Sequence, residues 1–175
     1  INGNSSTTMA TVYVLDTILP TISCTDTTIY LDSMGGVTID TSFVQPGFAD
    51  NCGVDSVWIT QTSFSCSDSL VNVPVYVRDN SGNVESCLAK VTVMDTISPN
   101  LIAQNKTVYL NAGGTVSFDT SSMIVSIYEN CSVDAISMDI TSATCSDDSV
   151  NVTLTIIDIN GNSSTTMATV YVLDT

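Results

Sequence analysis

Short runs in this chain alternate between apolar and polar residues with a period of two. In the stretch MATVYVL at Met9–Leu15, Ala10, Val12 and Val14 share one face, as they would in a strand with one buried side. A second alternating run occupies Val71–Arg78. Turn-forming residues recur about every ten positions and no 3.6-residue periodicity is sustained, so the pattern predicts an all-β protein made of sandwich units.

The chain is also an internal repeat. The sequence INGNSSTTMATVYVLDT occurs at 1–17 and again, letter for letter, at 159–175, and a weaker copy lies at 80–96. The Asp-Thr ending of these copies recurs at an interval of 79 residues. A fixed period of this length indicates tandem structural units. We therefore expect 1–17 to be the last strand of a preceding repeat, followed by a first repeat at 18–96 and a second at 97–175.

The six cysteines predict disulfides, because an even number in small β units is typical of an oxidising, extracellular setting. One period after Cys24 and Cys87 the sequence has Ala103 and Thr166, so both members of this pair are lost together. A joint loss predicts a Cys24–Cys87 bridge. The remaining four cysteines predict two more bridges, Cys52–Cys66 and Cys131–Cys145.

Charge and composition exclude several classes of function. The chain has eighteen acidic and three basic residues, which gives a net charge of −15. Nucleic-acid binding is excluded because no basic surface is available to offset phosphate charge. The sequence has no histidine, so the usual serine and cysteine triads are absent. No apolar run is long enough to span a bilayer, so we expect no membrane insertion.

The motif Asp-Thr-Ser occurs twice and raises the question whether the chain is an enzyme. Asp40-Thr41-Ser42 and Asp119-Thr120-Ser121 resemble the signature of aspartic proteases, which use two carboxylates that share one proton. Both copies fall at equivalent places in tandem units, about 30 Å or more apart for a sandwich strand plus a junction. We therefore predict that the chain is not an enzyme.

Three motifs of the first repeat point to a known family. They are Pro20-Thr-Ile-Ser-Cys24, Ala49-Asp-Asn-Cys-Gly53 and Val75-x-Val-x-Asp79-x-x-Gly82-Asn83-x-x-x-Cys87-x-x-x-Val91-Thr-Val93. With these motifs the first repeat closely resembles the hyalin repeat, an immunoglobulin-like β-sandwich module of extracellular proteins. The second repeat matches the motifs less closely, with Glu129-Asn130-Cys131 in place of the central motif and without the outer cysteines.

This resemblance implies tandem immunoglobulin-like repeats in the shaft of an extracellular filament or giant cell-surface adhesin. Such shafts are similar to those of gliding bacteria with type IX secretion. The expected partners are neighbouring repeats of the same chain and laterally associated copies. A carbohydrate-binding, lectin-like module that binds surface glycans is the alternative function, and outward aromatic residues such as Trp58 and Tyr76 are its candidates. A contact between strands is the simpler explanation of these two aromatic side chains.

Polar turns and junctions suggest a metal site. Oxygen ligands that carry negative charge suit Ca²⁺, and Asp-x-x-Gly-Asn turns resemble calcium-binding turns of other bacterial immunoglobulin-like adhesins. The same side chains also form ordinary Asx turns by bonding to backbone N–H groups, and the sequence leaves both interpretations open. The candidate ligands are Asp16, Asp50, Asp79, Asn83, Asp95, Asp158 and Asn162.

Asp followed by Ser or Thr recurs along the chain and resembles an O-glycosylation signal of bacteria with type IX secretion. The predicted acceptors are Thr17, Thr27, Ser33, Ser56, Ser69, Thr96 and Ser149.

Overall fold

The structure is a computed structural model that describes residues 2–174, and within that range it is built almost entirely of strands. Up to residue 96 the strands are β1 (Thr21–Ser23), β2 (Thr27–Tyr30), β3 (Gly36–Thr38), β4 (Gly47–Ala49), β5 (Val54–Ile59), β6 (Ser63–Ser65), β7 (Leu70–Asp79) and β8 (Val84–Met94). Beyond it they are β9 (Asn100–Ala103), β10 (Lys106–Tyr109), β11 (Thr115–Ser117), β12 (Ile124–Tyr128), β13 (Val133–Met138), β14 (Ser142–Thr144), β15 (Ser149–Asp158) and β16 (Ser163–Leu173). A one-turn helix α1 occupies Thr41–Val44, and a 3₁₀ turn occupies Thr120–Ser122.

The same sheet topology occurs twice, one period apart. The larger sheets have the strand orders β2-β8-β7-β5 and β10-β16-β15-β13, and the pairs β1-β4 and β3-β6 recur as β9-β12 and β11-β14. Strands β10 and β16 pair in parallel, whereas β15 pairs antiparallel with both of its neighbours. The chain is therefore all-β, with tandem immunoglobulin-like β-sandwich repeats of 79 residues, as the sequence predicts.

By its internal contacts the chain divides into two compact units. One consists of Ile1–Thr27, Ile39–Thr62 and Asn72–Lys90, and the other consists of Thr28–Thr38, Ser63–Val71 and Val91–Thr175. This division does not follow the 79-residue period, so the repeat bounds 18–96 and 97–175 stay a prediction.

Alternating residues of the long strands form the core, as the period of two requires. Val75 and Val77 of β7 and Leu154 and Ile156 of β15 are fully buried. The second unit has a contiguous apolar cluster that also includes Met123 and residues of β16. Within residues 2–174 no helix is long and apolar enough to cross a membrane.

The identical copies at the two ends of the chain have different structures. The later copy forms β16, which is hydrogen-bonded between β10 and β15, whereas residues 2–17 contain no strand. Val170 is fully buried in β16, while Val12, the same letter of the earlier copy, is 82% exposed. The difference follows from pairing, because a strand is stabilised by its neighbours and by the face that it buries.

Two disulfides are present, and only one of them has the predicted partners. Cys24 is bonded to Cys87, with a Cα–Cα distance of 5.9 Å. Cys66, however, is bonded to Cys131, with a Cα–Cα distance of 5.5 Å, and Cys52 and Cys145 are free and exposed.

The predicted bridges Cys52–Cys66 and Cys131–Cys145 are therefore wrong. The reason is the packing of Cys66: its Sγ lies 3.6 Å from the backbone carbonyl oxygen of Asn130, the residue before Cys131. Cys66 is thus held against the loop of the following repeat, and Cys52 and Cys145 remain without a partner within the described residues.

Candidate metal site

The predicted Asp-x-x-Gly-Asn turns follow β7 and β15, and both are Asx turns. Asp79 Oδ1 accepts hydrogen bonds from the backbone N–H of Ser81 at 2.9 Å and of Asn83 at 2.8 Å. Asp158 Oδ1 accepts the same pair of bonds from Asn160 and Asn162. Both aspartates are 1% exposed. One oxygen of each carboxylate is thus occupied by the turn itself.

The asparagines of these turns connect them to the Asp-Thr junctions. Asn83 Nδ2 donates to Asp79 Oδ2 at 2.7 Å and to the carbonyl of Asp16 at 3.2 Å. In the second turn, Asn162 Nδ2 donates to Asp158 Oδ2 at 2.8 Å and to the carbonyl of Asp95 at 3.2 Å. The amide nitrogens therefore position the carboxylates and the junction backbone, and Asn83 and Asn162 as metal ligands through their amide oxygens stay a prediction.

The first acidic cluster consists of Asp16, Asp50 and Asp79. One carboxylate oxygen of each lies within 4.8 Å of the others. Asp50 Oδ2 accepts a hydrogen bond from the backbone N–H of Cys52 at 2.8 Å, whereas Asp50 Oδ1 and Asp16 Oδ2 are buried without a hydrogen-bond partner. Two negatively charged oxygens thus lack the partner that burial normally requires.

The second acidic cluster is the equivalent of the first, one period later. Asp95 and Glu129 replace Asp16 and Asp50, and a carboxylate oxygen of each lies within 4.8 Å of the other and of Cys131 Sγ. Asp95 Oδ1 accepts hydrogen bonds from Ile97 N–H and Asn130 Nδ2. The oxygens Asp95 Oδ2, Glu129 Oε2 and Asn130 Oδ1 are buried and unpartnered. Asp95 itself is only 6% exposed.

The ionisation of Asp79 suits a cation ligand. Burial is the largest single influence and raises its pKa, but the hydrogen bonds from Asn83, Ser81 and Gly82 outweigh burial and hold the pKa below its usual value. The neighbouring Cys52 has the opposite tendency, because the Asp16 carboxylate beside it, partial desolvation and the charges of Asp50 and Asp79 raise the pKa of its thiol. Asp79 therefore contributes a negatively charged carboxylate to the first cluster at neutral pH.

These donors fit a hard divalent cation. Calcium takes six to eight oxygen ligands in flexible geometry, supplied by carboxylates, amide or backbone carbonyls and water. Each cluster gathers anionic oxygens that repel one another, and the unpartnered ones provide ligand positions. The sulfur of Cys131 is held in a disulfide, so oxygen remains the available donor in the second cluster.

The sequence predicts most of this site. The structure brings Asp16, Asp50 and Asp79 together, with Asn83 beside them. In the second cluster Asp95 lies beside Glu129 and Asn130, while the Asp158 turn adjoins it through Asn162. Glu129 lies one period after Asp50, so the two clusters occupy equivalent positions of the repeat.

The protease-like motifs have a local structural role. Asp40 is the N-cap of α1 and accepts hydrogen bonds from the backbone N–H and the hydroxyl of Ser42. Asp119 caps the 3₁₀ turn, with bonds from Ser122 N–H and Ser121 Oγ. Both aspartates have a lowered pKa, chiefly through the serine hydroxyls at Ser42 and Ser121. Capping explains these carboxylates without catalysis.

The aromatic candidates for glycan binding contact each other. Trp58 of β5 lies opposite Tyr76 of β7, and their rings stack with centroids 5.4 Å apart and an interplanar angle of 13°. Trp58 remains 37% exposed. Tyr76 therefore covers one face of the tryptophan.

Five of the predicted glycosylation acceptors are exposed, and Thr27 and Ser56 are half-buried. The five exposed acceptors are Thr17, Ser33, Ser69, Thr96 and Ser149.

Comparison with known proteins gives structural neighbours of low sequence identity. No protein-family model matches the chain, and no curated protein matches it in sequence. A structure of human mucin-like protocadherin EC1-2 is 9% identical with a TM-score of 0.44, covering 89% of this chain and 99% of its own. A protocadherin gammaB7 EC3-6 structure is 13% identical with a TM-score of 0.44, covering 90% of this chain and 48% of its own. The N-terminal Ig1-2 module of the Drosophila receptor protein tyrosine phosphatase DLAR is 9% identical with a TM-score of 0.29, covering 89% of this chain and 100% of its own.

Proposed function

We propose that this chain is a non-enzymatic structural segment of a long extracellular repeat protein, in which calcium stabilises each repeat at its junction. It serves as the shaft of a filament or a giant cell-surface adhesin, for adhesion or gliding, and its repeats are hyalin repeats. The observation that carries the proposal is the recurrence, one period apart, of a partly buried acidic cluster with unpartnered carboxylate oxygens at the Asp-Thr junction.

The recurrence matters because a single acidic cluster is common on protein surfaces, whereas these two are built alike. Each joins a junction aspartate, Asp16 or Asp95, to an acidic residue two positions before a cysteine, Asp50 or Glu129. Each also leaves two buried carboxylate oxygens unpartnered, one from the junction aspartate and one from the other acid. A cation at each cluster would fix the junction segment against the loop before β5 or β13.

An extracellular location agrees with the disulfides, because such bonds persist in oxidising compartments. The net charge of −15 also favours binding of cations and keeps copies of the chain dispersed. Export through the type IX system and glycosylation of the exposed Asp-Ser and Asp-Thr sites belong to the same proposal.

Calcium titration calorimetry on the oxidised chain tests the metal site. We expect two sites per chain, one for each cluster. Asp50→Asn should remove the first site and leave the second, and Glu129→Gln should do the reverse, because each substitution deletes one anionic ligand and keeps its shape. Asp134→Asn, which changes an exposed carboxylate of β13 outside both clusters, is the matched control and should retain two sites. Two sites in both ligand variants, or none in the unmodified chain, would refute the calcium proposal.

Glycan binding receives less support. A sugar-binding platform offers a free aromatic face, and one face of Trp58 is covered by Tyr76. The equivalent residues of the second repeat are Ser137 and Thr155, so the aromatic pair does not recur as the acidic clusters do.

A further inference from the structure

The Cys66–Cys131 disulfide belongs to a contact between a loop of the second repeat and the β2–β3 and β6–β7 turns of the first. Asn130, next to Cys131, donates from Nδ2 to the carbonyl of Asp32 at 3.3 Å. The backbone carbonyl of Asn130 packs on Gly35 and, with the Cys66 sulfur, fills the space that a side chain there would need. Gly35 also has a positive φ, +74°, which favours glycine. Asn130 therefore contacts the turns of the first repeat non-covalently, and the adjacent Cys131 is bonded to them through Cys66.

The far end of the second repeat has the equivalent docking surface. One period after Asp32, Gly35, Cys66 and Asp95 lie Asn111, Gly114, Cys145 and Asp174. All four later residues line one hollow. Gly114 also has a positive φ, +69°, and Cys145 Sγ is its nearest neighbour. The surface that receives Asn130 and Cys131 in the first repeat is therefore present again.

Burial shows that the second copy of this surface is uncovered. Asp95 is 6% exposed, whereas Asp174 is exposed. Cys66 is half-buried and bonded, whereas Cys145 is exposed and free.

The first repeat also has the loop that is equivalent to the docked 130–131 loop, and there it is exposed. Asn51 and Cys52 stand one period before Asn130 and Cys131, and both are exposed. Cys52 is a free thiol. The chain thus has one unpaired cysteine on a docking loop and another on a docking surface.

We propose that Cys145 forms a disulfide with the cysteine equivalent to Cys52 in a following copy of the first repeat, so that every junction of the array is covalently closed. The exact repetition of 1–17 at 159–175 gives the spacing. In this chain residues 18–96 follow the copy at 1–17. If the same sequence follows the identical copy at 159–175, the cysteine equivalent to Cys52 lies 65 residues after Cys145, which is also the separation of Cys66 and Cys131. This inference rests on the proposed role as a tandem-repeat shaft.

The bond forms by thiol–disulfide exchange with a small disulfide oxidant such as glutathione disulfide. One thiolate attacks the oxidant and releases one glutathione thiol, and the second protein thiolate then displaces the other. The two protein thiols lose two electrons and two protons, and the oxidant is reduced to two thiols.

Disulfide mapping of an extended chain tests the inference. The full chain 1–175 is followed by one further copy of residues 18–96, oxidised in a glutathione buffer, and its bridges are identified by mass spectrometry without reduction. We expect Cys145 to be bonded to the appended copy of Cys52, and two free thiols to remain, at the original Cys52 and at the appended copy of Cys66. Cys145→Ser should raise the number of free thiols to three by releasing the appended copy of Cys52.

A free Cys145, or a bond between the appended copies of Cys52 and Cys66, would overturn the inference. Mapping requires no calcium and is therefore independent of the metal proposal. A chain that binds two calcium ions but leaves Cys145 free would refute the covalent chain alone. A bridged chain that binds no calcium would refute only the metal site.

Discussion

The backbone carbonyl of Asn130 packs directly on Gly35, in the place where a side chain at residue 35 would begin. Gly114 occupies the equivalent position one period later and has a similar positive φ, but its nearest neighbour is Cys145 Sγ at 3.5 Å. The two glycines thus share a backbone conformation and differ in what covers them.

Gly35→Ala should therefore destabilise the protein more than Gly114→Ala. Both substitutions strain a left-handed backbone, at about 1–2 kcal/mol each. Only Gly35→Ala also displaces Asn130 and the Cys66 sulfur, which should bring its total to about 3–4 kcal/mol. Equilibrium urea unfolding of the two oxidised variants measures the difference. Equal losses would mean that the Asn130 contact contributes nothing.

Removal of the Cys24–Cys87 bridge should cost stability in the first repeat. The double replacement by serine frees the unfolded chain over a separation of 63 residues and should lower the free energy of unfolding by about 2–4 kcal/mol. Cys145→Ser, at an exposed free thiol, is the control and should stay within about 0.5 kcal/mol of the unmodified chain. A double variant as stable as this control would contradict a stabilising role for the bridge.

Acid stability should depend on Asp139. Its Oδ1 accepts a hydrogen bond from Thr153 N–H at 2.8 Å, and this bond holds its pKa below the ordinary value of 3.8. Since the pKa is depressed in the folded state, the contribution to stability is complete above the unfolded-state pKa and is lost as pH falls through the folded one. Asp139→Asn should therefore reduce the fall in thermal midpoint below about pH 4. An unchanged slope in that range would exclude this aspartate as a source of acid sensitivity.

The fold could be predicted from the sequence because the alternation with a period of two and the 79-residue repeat are both visible in the sequence itself. The absence of a strand in residues 2–17 could not be predicted in this way. Val12 and Val170 occupy identical sequences, yet only Val170 has strands on both sides. Strand formation here depends on partners, which a local pattern does not specify.

The cysteine pairing shows a different limit. Cys24 and Cys87 disappear together from the second repeat, so their loss identifies them as a pair. Cys52 and Cys66 both recur one period later, and this retention agrees equally well with a bridge inside each repeat and with one that crosses to the next. The contact of Cys66 with the loop that carries Asn130 and Cys131 decides the matter, and a contact between segments 65 residues apart is not visible in a local pattern.

Part of the acidic site was predictable for the same reason. The Asx turns at Asp79 and Asp158 have a local signature, and the junction aspartates repeat at the period. The role of Glu129 required the superposition of the two repeats, because its side chain differs from that of Asp50 while its position does not. Which carboxylate oxygens remain unpartnered depends on packing between distant segments.

Thermal unfolding of the oxidised chain, with calcium and with excess chelator, tests the account most directly. Calcium at about 100 times its dissociation constant should stabilise the folded state by about 2.7 kcal/mol per site, so that the two sites together should shift the midpoint by roughly 10–20 °C for a chain of this size. We predict that the chelator lowers the midpoint by this amount, that Ca²⁺ but not Mg²⁺ restores it, and that the Asp50→Asn and Glu129→Gln double variant no longer responds. A midpoint that is the same with calcium and with chelator would contradict a calcium-stabilised shaft.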